Sequence, residues 1–191
     1  MPVFRTVKDA QSGSIRLEAI HQPMYDSVSL TASGTTLLFS QGANNRSALL
    51  TNLQTAGQLS WPKRFSIRAL RQVLGFASAA VYSDVANYLA RATFKVLVGE
   101  KNYLTIPAFI LTAGTGLEQQ TIVAAPALTA STVYANHGRP EQRNIYSLLH
   151  SIYLPPVQNF AVDLTVESGL TITAGLRVHL FLEGELLREI Q

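Results

Sequence analysis

The side chains best suited to proton transfer or metal binding are four histidines, His21, His137, His150 and His179. They are scattered, and none has a second histidine or a carboxylate at the short spacing of known zinc motifs. His179 falls on the polar side of an alternating run, beside Arg177 and Glu183. There it is either a titratable contact between subunits or a solvated, hydrogen-bonded residue. His137, just before Gly138, reads as a turn residue. The chain has no cysteine, which excludes disulfides and thiolate chemistry. Gly114-Thr115-Gly116 lacks the third glycine and the following helix of a dinucleotide fingerprint. It also lacks the Gly-Lys-Ser/Thr ending of a phosphate loop. Glu183 and Glu185 flank Gly184 in what reads as a tight turn. Glycosidase carboxylates face each other across a cleft, so these two are expected to be solvated. No Gly-x-Ser-x-Gly elbow is present. The residues point to no catalytic site, no metal site and no cofactor.

Positive charge is the one chemical feature that clusters. Lys63, Arg64, Arg68 and Arg71 lie close together on a stretch with strand character. A single alternation puts Arg64 and Arg68 on one face and Arg71 on the other. Such cations contact phosphates or the acidic groups of a neighbouring subunit, or else pack their stems along a solvated strand face. Arg5 and Lys8, near the N-terminus, are candidates for contact with nucleic acid or anionic lipid. Trp61-Pro62 reads as a lid on the core rather than a platform for sugar stacking. Asn45-Arg46-Ser47 fits the glycosylation pattern. However, residues 1–10 show no apolar core like that of a secretory signal, so that pattern is set aside. A cytoplasmic site of synthesis and assembly is expected.

The elements that must position these cations are strands. Phe160, Val162, Leu164 and Val166 alternate with Ala161, Asp163, Thr165 and Glu167. Leu176, Val178, Leu180 and Leu182 alternate with Arg177, His179, Phe181 and Glu183. A period of two buries one set of each run and leaves the other wetter. Ser168-Gly169 and Gly175 supply a turn between the runs. Two strands of this length need further strands and a second sheet to cover them.

The rest of the chain supplies them. Residues 1–13 read as an arm and 14–20 as a strand. Residues 28–31 and 35–39 flank Ala32-Ser33-Gly34 as a hairpin. Residues 40–62 form a long polar loop suited to reaching a neighbour, with a short helix or strand near 48–53. Residues 63–74 make a strand with Phe65, Ile67, Ala69, Arg71 and Val73 on one face. Ser83-Asp84 caps a two-turn helix. Residues 90–98 and 103–111 pair across a turn at 99–102, with Pro107 marking an edge or bulge. Residues 113–116 are a loop, and 121–134 a mixed loop with a short strand near 132–134. Residues 145–154 form a strand, 183–185 turn the chain and 186–190 end it. With no alternation of helix and strand, the expectation is an all-β fold. It is an antiparallel two-sheet sandwich of jelly-roll type with one short helix, residues 14–191 forming one domain. An immunoglobulin-like sandwich would be the alternative, but no Cys-Trp-Cys spacing supports it.

Charged residues make up 14% of the chain, against about 25% for an average soluble domain. A chain so poor in charge is expected either to cover much of its surface with neighbours, because interfaces are depleted of charge at their centres, or to be a monomer with a surface rich in Ser, Thr, Gln and Asn. The net charge of +3 is far from the dense basic stripe of a nucleic-acid reader.

Residues 57–68, Gly-Gln-Leu-Ser-Trp-Pro-Lys-Arg-Phe-Ser-Ile-Arg, resemble a stretch of the small jelly-roll structural proteins of tailless icosahedral bacteriophages. Pro155-Pro156-Val157-Gln158-Asn159-Phe160-Ala161-Val162 and the closing residues 178–188 are similar in style. The resemblance implies a virion capsid protein, assembled in a host cytoplasm from copies of itself and other capsid proteins. It carries over no catalytic residue. A genome-binding arm would be longer and more basic than residues 1–13, so contact with genome or internal lipid is a weaker expectation. The second expectation is a carbohydrate- or ligand-binding jelly-roll module of receptor-binding type. The third is a cupin-type enzyme, for which a metal-ligand cluster is wanting.

Overall fold

The computed structural model describes residues 3–9, 13–40, 46–76, 82–111, 118–123, 131–136 and 145–190. The expected loop at 113–116 and turn at His137 to Pro140 lie outside them. In chain order the strands are β1 (Val3–Asp9), β2 (Gly13–His21), β3 (Met24–Leu38) and β4 (Arg64–Phe76). Helix α1 (Tyr82–Arg91) follows, then β5 (Ala92–Val98), β6 (Lys101–Pro107) and a short 3-10 helix, Ala108–Leu111. The remaining strands are β7 (Glu118–Val123), β8 (Ser131–Asn136), β9 (Tyr146–Leu154) and β10 (Phe160–Arg188). This is the expected all-β sandwich with a single short helix, and every strand pairing is antiparallel.

The two layers are joined. One eight-stranded sheet curls on itself, and β10, 29 residues long, runs through both halves. Its first half lies between β3 and β5, with Leu164 opposite Thr36 on one side and Phe94 on the other. Its second half lies between β3 and β4, with Leu180 opposite Asp26 and Gln72. The two alternating runs are therefore one strand, and the turn expected between them is instead a break in register. Val166, Thr171 and Leu176 face Gly34, Ala32 and Leu30. The hairpin expected at Ala32-Ser33-Gly34 is likewise absent, because β3 runs straight past the same break. Gly34 takes a φ of 139°, open to glycine alone. Glycines on both strands thus accompany a shared break in register where each was expected to reverse the chain.

Both alternations are as expected. Phe160, Val162, Leu164, Val166, Leu176, Val178, Leu180 and Leu182 are all buried in one core. Phe94, Val96 and Val98 of β5 and Phe65, Ile67 and Leu70 of β4 face them. Val85, Tyr88 and Leu89 of α1 close one side, and Leu53 and Leu59 of the long loop contribute as well. Pro62 is buried whereas Trp61 is 51% exposed, so the lid is the proline and not the indole.

Two buried polar groups fasten connections to this core. Asp26 accepts 2.6 Å bonds from the Phe39 amide and from Arg46 Nη1, which pins the start of the long loop to β3. Gln72, fully buried, accepts from the Tyr88 hydroxyl at 2.8 Å and donates to the Ala108 carbonyl at 2.5 Å. That chain links α1, β4 and the 3-10 helix, and full burial pushes the Tyr88 hydroxyl well above the usual tyrosine range.

Three further expectations are corrected. The N-terminal arm is a strand, β1, paired with β2 through seven successive residue pairs. The strand expected over 103–111 stops at Pro107, which lies on an edge strand as expected, and the chain continues as a 3-10 turn. In the mixed loop expected over 121–134, the short strand expected near 132–134 is β8, but residues 121–123 belong to a second strand, β7, which pairs with it as a two-stranded ribbon.

Candidate interaction surface

A bulge in β4 determines where the cations go. Glu183 of β10 faces Ala69 and Gly184 faces Ile67, which leaves Arg68 as the extra residue. Side-chain parity in β4 reverses there. Phe65 and Ile67 point inward before the bulge, and Leu70, Gln72 and Leu74 after it. The single alternation expected for residues 63–74 is therefore wrong beyond Arg68, and Arg71 shares the outer face with Arg64. The bulge depends on Gly184: a Cβ there would lie 2.0 Å from the Ser66 carbonyl oxygen. Residues 183–185 are thus a tightly apposed strand segment, not a turn.

The outer face so formed gathers residues that are remote in sequence. Glu185 takes Arg5 Nε on one carboxylate oxygen at 3.2 Å and Arg68 Nη2 on the other at 2.5 Å. Its side chain is 19% exposed, those of Arg5 and Arg68 56% and 62%. Two shallow depressions of about 210 and 220 Å³ share Arg5, Arg68 and Glu185. The first also has Arg64, Phe65, Tyr153 and Leu187 in its walls, and the second Val3, Ala19, Ile20 and His21. The guanidiniums of Arg5, Arg64 and Arg68 thus gather with the Glu185 carboxylate around the first depression. Next along the face, Arg71 Nη2 binds Glu183 Oε1 at 2.7 Å, with its guanidinium 4.8 Å from the centre of the Phe181 ring. Tyr25 packs on the other side of Phe181, ring centres 5.7 Å apart. The two glutamates expected to be solvated are therefore partly buried ion-pair partners.

The structure divides the six cations singled out from sequence. Arg5, Arg64 and Arg68 line one depression, and Arg71 neighbours them. Lys63 instead donates a 2.6 Å hydrogen bond to Gln54 and belongs to a separate polar hollow of about 250 Å³. Lys8 is exposed on β1 opposite Ser14, away from the cluster. His179 lies on the outer face between Ser27 of β3 and Val73 of β4. Burial, and secondarily the charge of Arg177, lower its pKa below the usual 6.5.

Sequence reasoning missed Glu183, Glu185 and Tyr153 as members of this surface, and Arg46 as the partner of Asp26. The continued alternation of Leu182, Gly184 and Leu186 was a usable signal for the glutamates. The pairs themselves, such as Arg5 with Glu185, had none. Among the described residues no group of three or more His, Cys, Asp or Glu could hold a metal ion. No helix among them is long and apolar enough to cross a membrane.

No protein-family model matches this chain, and no curated protein matches it.

Proposed function

We propose that this chain is a structural subunit that assembles with copies of itself or sister subunits. On the resemblance of residues 57–68 and the two later segments, we place it as a capsid protein of an icosahedral virion, put together in a host cytoplasm. The observation that carries the reading is how little charge the surface has available. The chain has only 15 lysines and arginines and 12 acids. Arg5, Arg46, Arg68, Arg71 and Arg188 are already paired with Glu185, Asp26, Glu183 and Glu18 within the subunit. Around them Val3, Leu37, Leu49, Trp61, Leu149 and Val157 are each more than half exposed. A surface poor in charge, with part of that charge paired internally and large apolar side chains outside, is suited to burial against other protein. The sandwich supplies rigid walls, and closed symmetric contacts turn such walls into a shell.

The test is the assembly state of the purified chain, by size-exclusion chromatography with light scattering and by electron microscopy. Capsomers or regular shells are the expected result. A persistent monomer at high concentration would overturn the proposal, and a monomer that binds glycans would favour the ligand-binding module.

A further inference from the structure

Among the described strands of the eight-stranded sheet, β1, β9, β6 and β3 each pair with one strand only, and Ser14 to Leu17 of β2 and Arg71 to Phe76 of β4 are also open on one side. Of the four whole edge strands, three carry features that hinder further pairing. In β9, Ser147 and Ile152 sit opposite Ala69 and Ile67, so the residues between leave the ladder, and Leu149 protrudes with 93% of its surface exposed. In β6, the register shifts at Tyr103 and the strand stops at Pro107. In β3, the first half is covered by residues 46–52, with Ser27 Oγ donating to the Leu50 carbonyl and the Asn52 amide to the Tyr25 carbonyl. Its last residues start at the Gly34 break and end at Phe39, whose φ is 61°. Bulges, prolines and covering loops are the means by which proteins keep sheet edges from pairing.

β1 has none of these. Seven successive pairs join it to β2 without a register shift, and no described strand lies on its other side. Val3 is 54% and Phe4 37% exposed, and no residue of β1 belongs to the core. β10 reaches β2 only from Glu18 to His21, so Ser14 to Leu17 have β1 as their sole strand partner. That end of the hairpin is two-stranded among the described strands, although Leu17 within it is fully buried.

We propose that a second copy of this chain adds to β1, antiparallel and across a two-fold axis, with the Thr6 residues of the two copies facing each other. The length and sequence of β1 favour this register: centred on Thr6 all seven of its residues are paired, whereas centring on Val7, which would set Arg5 opposite Asp9, pairs only residues 5–9. Centred on Thr6, the pairing sets Phe4 opposite Lys8 and Arg5 opposite Val7, so no cation meets a cation. Centred on Arg5 or Lys8, it would set like charges face to face, which disfavours pairing. Backbone hydrogen bonds supply the contact, and the cation opposite an aromatic ring adds to it. This inference rests on the assembly reading and names one of its contacts.

The absence of cysteine makes the test clean. Residues directly opposite on antiparallel strands have Cβ atoms about 4.5–5.5 Å apart, close enough for a disulfide after a small adjustment. Thr6→Cys should therefore form a covalent dimer under mild oxidation roughly 100-fold faster than Leu149→Cys on the bulged β9 edge. Equal rates would overturn the proposal, as would cross-linking at Leu149→Cys alone. Light scattering of the unaltered chain separates the two readings. If it assembles while Thr6→Cys does not cross-link, only the β1 contact is wrong. If it stays monomeric and Thr6→Cys does not cross-link, both are wrong.

Discussion

Along residues 176–188, β10 presents two surfaces built by different rules. Toward the core, Leu176, Val178, Leu180 and Leu182 are at most 1% exposed and touch other apolar groups. Toward the outside, Arg177, His179, Phe181, Glu183 and Glu185 meet partners that are charged, aromatic or polar, and most keep some contact with water. The inner row is held by area removed from water, at about 25 cal/mol per Å² of apolar surface. The outer row is held by ion pairs between partly buried glutamates and more exposed arginines, worth about 1 kcal/mol each. The two faces of one strand thus divide the work: the inner one specifies the fold, and the outer one can change partners at little cost to it.

Substitutions on the two faces should separate these roles. Gly184→Ala has the largest expected effect, because its methyl would meet the Ser66 carbonyl, a backbone atom that cannot swing aside. A loss of about 4 kcal/mol is expected, at the extreme for one residue, read as a lower urea midpoint or as insoluble expression. A normal midpoint would mean that the β4 bulge can open without harm. Leu180→Ala comes next, with a loss of about 3 kcal/mol from a fully buried site. Denaturant unfolding should show that loss, and an effect below about 1 kcal/mol would contradict a packed inner face.

The inner row was readable in the sequence because alternation needs only the strand's own residues. The outer surface was less so, for a physical reason. Its geometry depends on the register between strands, and one extra residue, Arg68, reverses the faces of everything after it. Nothing local distinguishes an arginine in a bulge from an arginine in a regular strand. Glycine was ambiguous in the same way. Gly34, Gly175 and Gly184 each mark a place where the chain departs from regular pairing; Gly34 supplies a positive φ and Gly184 room for the Ser66 carbonyl, and a turn can call on either property. What decides between them is whether another strand lies alongside, as β3 does along β10. Arg5 and Glu185 are 180 positions apart, and only the closure of the sheet brings them together.

Glu185→Gln tests the outer row. The amide keeps the shape of the side chain but removes the charge that Arg5 and Arg68 share. Stability should fall by less than about 1 kcal/mol, since both arginines are largely in water. Assembly should become markedly more salt-sensitive as the patch gains a unit of positive charge. A loss as large as that of Leu180→Ala would erase the distinction between the faces.

The smallest effect belongs to His179, on the outer row but only partly sheltered. Burial, then Arg177, disfavours its charged form in the folded chain, so its folded pKa lies below the unfolded value of 6.5. Between those two values the unfolded chain binds more protons than the folded one, so stability rises with pH. The contribution of the neutral ring is therefore complete above about pH 6.5 and is lost as pH falls through the lower folded value. His179→Gln should remove this slope, so urea midpoints of the two proteins measured from about pH 8 to pH 5 should converge or cross toward acid. Parallel midpoints across that range would mean that the ring titrates as it does in water. The outer face would then be more open, even beside Phe181, than its packing implies.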